Sequence, residues 1–218
     1  MAATLAWTAQ AAARPDLCHT GRRQSPIDIV ASTPAPLAPL VFQYRPAPLR
    51  IVNDGHTVRV RLANGSRLLI GGQVHTLQQF HFHWPGGDRI HGEEFPMAMH
   101  FLHKSAAGQL VALVVPFRLG AENAALAALL PQMPSRGQAE RTQAGFKVDA
   151  LRLVPQASGY YAYDGSVTAP PCTEGVRWLV MKQPLTLSQA QWEALKRLFP
   201  SNARELQPLN GRVVQESP

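Results

Sequence analysis

The chain has 218 residues, of which 45% are hydrophobic and 16% charged, and its 21 Lys+Arg against 14 Asp+Glu give a formal net charge of +7. A chain of this length and polarity buries one substantial core, which excludes intrinsic disorder, and no uncharged apolar run reaches the roughly 18 residues of a membrane helix. The basic residues are scattered (Arg22, Arg23, Arg59, Arg61, Arg136, Arg141), with no K/R-rich block or nucleic-acid motif, so the positive charge implies no nucleic-acid partner.

The opening run from Met1 to Ala13 is apolar and ends in small residues resembling a cleavage site. It lacks a basic start and its apolar core is short, so it reads as a poor signal peptide or as a helical or frayed beginning. Residues 1–16 are therefore set apart as a poorly defined N-terminal segment, and 17–218 as one domain, because no repeat or low-complexity linker divides the rest. Cys18 and Cys172 lie in turn-like contexts and neither belongs to a CxxC pair. They are two free thiols or one long-range disulfide.

Ala31 to Pro48 carries Pro34, Pro36, Pro39, Pro46 and Pro48, which predicts an extended, irregular surface stretch with one edge strand at Leu40-Tyr44. Thr57 to Leu62 alternates apolar or β-branched residues with basic ones, the pattern of a strand with one wet face, and Asn64-Gly65 then predicts a hairpin turn into Arg67-Ile70. After Gly71-Gly72 come three β-rich runs, Val74-Trp84, Pro96-Lys104 and Gln109-Phe117, separated by turns at Gly86-Gly87, Gly92 and Gly108; the last is apolar enough for a central strand. Helix is predicted at Ala121-Leu130, ended by Pro131, and at Ser188-Phe199, where Ser188 and Gln191 form a capping box and Pro200 stops the run. The 19 Pro and 16 Gly punctuate the backbone often. The fold class is mainly β: a single domain around a large, mostly antiparallel twisted sheet with a few short peripheral helices.

Seven of the eight histidines lie between positions 56 and 103. In Gln79-Phe80-His81-Phe82-His83-Trp84 the two histidines are two apart, and in a strand residues i and i+2 point to one side, so both rings can meet one ion. A third ligand can come from the next run, where His100 faces one way and His103 the other. Three neutral imidazoles with an open fourth position describe catalytic zinc, whereas a structural site is closed by four protein ligands, usually thiolates. The plain alternative is a hydrogen-bonded histidine pair in a strand. His103 reads as a buried, hydrogen-bonded imidazole; His75 and His91, in or beside turns, read as solvated, and His19 as incidental.

Five ordered blocks give these residues a family. Gln24-Ser-Pro-Ile-Asp-Ile29, Asn53-Asp-Gly-His-Thr-Val58, Gln79-Phe-His-Phe-His-Trp84, Met99-His100-Phe-Leu-His103 and Gly165-Ser-Val-Thr-Ala-Pro-Pro-Cys-Thr-Glu-Gly175 together resemble the alpha-class carbonic anhydrases of bacterial type. The resemblance implies Zn²⁺ on His81, His83 and His100, and reversible hydration of CO₂ to bicarbonate and a proton through attack by zinc-bound hydroxide. It implies His56 as the proton shuttle, a task that suits an imidazole, and Thr168 as the acceptor that orients the hydroxide. Val167, Trp178 and Leu102, with Ala112, match the apolar wall that holds CO₂, and Gln79 matches the partner of the first ligand. Asn202 and Arg204 match a structural closing segment. Cys18 and Cys172 fall where bacterial members carry a disulfide, which implies a periplasmic or secreted location.

Three departures from the family pattern stand out. The glutamate that usually orients the threonine is Gly87, leaving Asp88 or Glu94 to reach Thr168; restoring Glu at 87 is expected to raise activity. The carboxylate that usually supports the third ligand is Ala98, and losing such a group commonly costs 10–100-fold in metal affinity or activity. The aromatic-rich start is reduced to Trp7. The implied function is therefore CO₂ hydration at reduced rate; alternatives are a catalytically weak or silent zinc protein of this family used for binding or scaffolding, and an esterase side activity. The partner is the small substrate CO₂/bicarbonate, and the expected assembly is a monomer or homodimer.

Overall fold

The computed structural model describes residues 16–62, 65–156 and 159–218; the N-terminal segment with Trp7, apart from Asp16, and Asn64 of the predicted turn lie outside the described residues. In chain order the strands are β1 (Asp28–Ile29), β2 (Thr33–Pro34), β3 (Leu40–Gln43), β4 (Ala47–Asn53), β5 (Val58–Arg61), β6 (Arg67–Ile70), β7 (Gln73–His83), β8 (Arg89–Ile90), β9 (Met97–Ser105), β10 (Leu110–Leu119), β11 (Arg141–Val148), β12 (Tyr160–Ser166), β13 (Glu174–Met181), β14 (Leu185–Leu187) and β15 (Gln215–Glu216). Two short helices, α1 (Ala124–Leu129) and α2 (Gln189–Leu198), and two 3₁₀ turns, Leu130–Gln132 and Ala150–Leu153, complete the elements.

One large sheet dominates, in the order β11-β4-β5-β7-β9-β10-β13-β12-β15-β2, with β3 and β6 continuing from β7 and β14 from β10. Its pairings are mostly antiparallel, as predicted; the parallel ones are β10 with β13 and β14, and β15 with β2. The central strands β9 and β10 are buried on both faces, which is why β10 reads as a continuous apolar run. Odd positions (Met97, Met99, Phe101, Val111, Leu113, Val115, Phe117) enter the larger core, and Ala98, Ala112 and Val114 enter a smaller cluster with Ile27, Ile29, Tyr163 and Trp178.

One proline marks where the sequence reading needs correction. Pro48 is not in irregular chain but in β4, opposite Lys147 at the point where β11 shifts register between Gln143 and Lys147. A bulge is one of the few places where a ladder tolerates a residue without an N–H. β10 continues two residues past the predicted Phe117, to Leu119, and within it Pro116 pairs with Ala98 on one side, while on the other it falls between the end of the β13 pairing at Val114 and the start of the β14 pairing at Phe117. β11, β12 and β13 were not singled out from sequence, since Tyr160-Tyr163 is buried residue after residue and has no period of two.

α2 starts at Ser188 with both halves of the capping box formed, and α1 is shorter than predicted because Asn123 caps it, its side chain accepting from the N–H groups of Ala125 and Leu126. Pro131 then sits in the first turn of the following 3₁₀ segment, where a missing N–H costs little.

Candidate metal centre

β7 is interrupted by a register shift between Leu77 and Gln79. The extra residue reverses which face the odd positions take. Before it, His75 and Leu77 are buried on the core side; after it, Gln79, His81 and His83 line a cavity of about 650 Å³. His75 is therefore not solvated as expected but only 2% exposed, and neither of its ring nitrogens has a partner among the described residues. His91 and His19 are exposed. His103 lies on the core face opposite Leu77 and shares a 2.7 Å hydrogen bond with the Tyr44 hydroxyl through Nε2; burial pushes its pKa down to about 3, so the ring is neutral.

On the cavity face, His100 of β9 is the direct cross-strand partner of His81. One nitrogen from each of His81, His83 and His100 falls in a cluster within 4.8 Å, and the Nε2 atoms of His81 and His83 are 3.0 Å apart. Three nitrogens at tetrahedral positions around Zn²⁺ lie about 3.3 Å from one another, so the donor set has the right scale for that ion. All three rings are held below the usual histidine pKa, chiefly by burial and then by electrostatic interaction with neighbouring groups, His56 for His83 and His83 and Arg59 for His81; for His83 the value is about 4. Neutral imidazoles are the form that ligates a metal. His81 Nδ1–H donates to Gln79 Oε1 at 2.9 Å, which leaves its Nε2 lone pair free toward the cluster. His100 Nε2 is buried without a partner, and Ala98, on the same face two residues earlier, offers none.

An apolar wall faces the imidazoles. Leu102, Ala112, Val167 and Trp178 line the cavity, joined by Val176, which the sequence reading did not name although it alternates with Trp178 on β13. Trp178 is held by its indole N–H on the Ser166 carbonyl (2.9 Å), by stacking on Tyr163, and by an edge contact 5.2 Å from the His100 ring centroid. Arg50, Arg59 and Arg61 also line the cavity; Arg59 and Arg61 were legible as the basic half of the β5 alternation, but not as cavity residues.

His56 is exposed at the cavity, its ring centroid 6.3 Å from that of His83. Its loop is built by an Asx turn: Asp54 Oδ1 accepts from the N–H groups of His56 and Thr57, Asn202 Nδ2 donates to the His56 carbonyl, and Gly55 takes the positive φ of +87°. Thr168 lines the cavity on the loop after β12, and its hydroxyl has no hydrogen-bond partner among the described residues. Neither expected carboxylate supplies one. Asp88 is buried and turned away, its Oδ1 accepting from the Ile27 N–H (3.0 Å) and the Tyr163 hydroxyl (2.8 Å), while Glu94 pairs with Arg89 at 2.6 Å. Gly87 has φ +88°, a conformation strained for any L side chain.

The Thr168 loop is clamped from the N-terminal side. Cys18 and Cys172 form a disulfide across 154 positions; Ser25 and Ser166 exchange two hydrogen bonds; Gln24 donates to the Cys172 carbonyl. Arg204 completes the clamp through the Gln24 side chain and the carbonyls of Ser25 and Cys18.

Three convergent, neutral imidazoles at one end of a half-apolar cavity, on the face of a large twisted sheet, define a protein with a three-histidine metal-type centre. A family model described as eukaryotic-type carbonic anhydrase matches residues 5–218. The chain is 40% identical over 200 residues to a carbonic anhydrase of Pectobacterium carotovorum, covering 91% of this chain and 81% of that protein. Among solved structures, the alpha-carbonic anhydrase of Photobacterium profundum is similar with a TM-score of 0.86 at 40% identity over 91% of both chains. That of Thermovibrio ammonificans, solved with the inhibitor sulfanilamide, has a TM-score of 0.87 at 37% identity over 91% of this chain and 89% of that one. The chain belongs to the alpha-class carbonic anhydrase family, and it is an enzyme of that family's activity, the hydration of CO₂.

Proposed function

We propose that the chain hydrates CO₂ reversibly at a zinc ion held by His81, His83 and His100, with an efficiency reduced because Gly87 and Ala98 replace the usual carboxylates. The observation that carries this reading is the convergence of the three imidazole nitrogens beside an apolar wall. Zinc held there supplies a Lewis acid that lowers the pKa of a water to near 7, so that a nucleophile exists at neutral pH. Everything else is work for the protein's own residues.

Gln79 sets the tautomer of His81, and burial keeps the three rings neutral and available. Leu102, Ala112, Val167, Val176 and Trp178 exclude water from one side and give CO₂ an apolar surface to lie against. Thr168 orients the attacking oxygen by accepting its hydrogen bond. With no carboxylate to take the threonine's own proton, its hydroxyl is free to donate as well as accept, and the orientation is less sharply defined. His56 carries the released proton from the inner cavity to solvent.

The competing reading is a zinc protein of this family with hydration suppressed; the buried His100 Nε2, without a partner among the described residues, favours it. Zinc stoichiometry and stopped-flow CO₂ hydration of the full chain separate the two. Stoichiometric zinc with hydration clearly faster than a His81→Ala control is expected; hydration no faster than that control overturns the enzymatic reading. The disulfide fits an oxidising compartment, and none of the described helices is long and apolar enough to cross a membrane. We infer a periplasmic or secreted location and a functional unit spanning 17–218.

A further inference from the structure

The mechanism above uses the imidazole end of the cavity and leaves one flank without a role. That flank is basic. Along β5, Val58 and Val60 are buried in the core, so the alternate residues Arg59 and Arg61 face the cavity. Arg61 pairs across β4 with Arg50, which lines the same cavity, and across β7 with Gln79, while Arg59 pairs with His81. The three arginines thus occupy neighbouring positions on the cavity side of the sheet, starting opposite His81.

Their charge is only partly met. Asp54 pairs with Arg59 at 2.6 Å, and Glu140 bridges Arg50 (2.6 Å) and Arg61 (3.0 Å), two carboxylates against three cations. Neither carboxylate lines the cavity, and no Asp or Glu does among the described residues. Each guanidinium carries five N–H donors in a planar fork, and these ion pairs occupy a minority of them. The side chains remain 31–51% exposed, so an anion in the cavity can reach them. A cavity of about 650 Å³ also holds far more than one CO₂.

We propose that Arg50, Arg59 and Arg61 form an oxyanion subsite on the cavity wall, distinct from the three-histidine centre, for small carboxylate-, bicarbonate- or phosphate-type anions. Forked, charge-assisted N–H donors are the chemistry that recognises this class. Staging of bicarbonate between the inner cavity and solvent is a use that rests on the proposed function; the anion binding itself does not.

Inorganic phosphate is the probe, titrated calorimetrically into the full chain with and without zinc at constant ionic strength. Saturable binding is expected in both forms, weakened about tenfold or more in Arg59→Gln/Arg61→Gln. Glu140→Gln, which releases two of the three arginines, is expected to tighten binding, and this opposite sign keeps the test open should the double variant fold poorly. Binding that requires zinc, or an affinity unchanged in both variants, overturns the subsite. Phosphate binding by a zinc-free chain that lacks CO₂ hydration when loaded supports the subsite and overturns only the proposed function.

Discussion

The β7–β9 pair carries histidines on both faces, and the two faces have opposite fates. On one, His81, His83 and His100 converge on a cavity, neutral and with nitrogens close enough to share an ion. On the other, His75 and His103 lie in the core: His103 is bonded to Tyr44 through Nε2 alone, and His75 has no partner at either ring nitrogen among the described residues. Residue type and proximity in sequence are alike in the two sets. What differs is convergence of lone pairs on an accessible space, which is set by strand register and by one bulge at Gln78.

The sharpest way to break this comparison is to truncate one histidine from each face. His81→Ala is expected to abolish stoichiometric zinc and to lower CO₂ hydration by more than about a hundredfold, the upper end of what loss of a ligand's partner costs. His103→Ala should keep its zinc and instead lose about 2–4 kcal/mol of stability, since it leaves a hole and an unpaired Tyr44 hydroxyl. Zinc analysis and denaturant unfolding of both variants decide it; loss of zinc from both would erase the distinction.

The proposed proton exit through His56 lies on the cavity face. His56→Ala should slow turnover in weak buffer on the order of a hundredfold, the low end of what a positioned acid–base group contributes, with recovery on adding imidazole. Equal rates in both buffers would leave His56 without that task.

Asp88 extends the contrast to a carboxylate buried beside the cavity rather than in it. Burial pushes its pKa up to about 6, above its value of about 4 in an unfolded chain. The folded state therefore holds this proton more tightly, and the stability it contributes is complete below about pH 4 and lost as pH rises through 6. Asp88→Asn should remove a decline on the order of 2–3 kcal/mol between pH 4 and 6.5, read from unfolding midpoints across that range.

The two smallest effects test what each face lacks. Gly87→Glu is expected to raise hydration by supplying Thr168 with a proton acceptor, while costing about 1–2 kcal/mol for the left-handed backbone at that position; an unchanged rate would mean that another group already orients Thr168. His75→Leu should raise stability by about 1–2 kcal/mol, because it replaces two unsatisfied buried nitrogens with an apolar side chain, and a lower melting temperature would reveal a partner for that ring.

Much of the candidate site was legible in the sequence because its signals are local. The i, i+2 spacing of His81 and His83 puts two rings on one side of a strand, Ser188 and Gln191 encode their own helix start, and Asn53-Asp54-Gly55 encodes the turn that presents His56. His75 was misread because an unforeseen bulge reverses its face, and Pro48 was misread because its tolerance depends on where the neighbouring strand shifts register. The loss of carboxylates at Gly87 and Ala98 was visible in the residues; that Asp88 turns to Tyr163 and leaves Thr168 alone was not.

By itself, then, the sequence determined the ligand types, the strand alternation that points them, and the family that uses them, since each is written in residues a few positions apart. Only the tertiary structure decided that His100 stands opposite His81, that Cys18 reaches Cys172, and that Arg50, Arg59 and Arg61 flank one cavity. Those are contacts between strands far apart in the chain, and they are fixed by register and burial across the whole sheet rather than by any local preference.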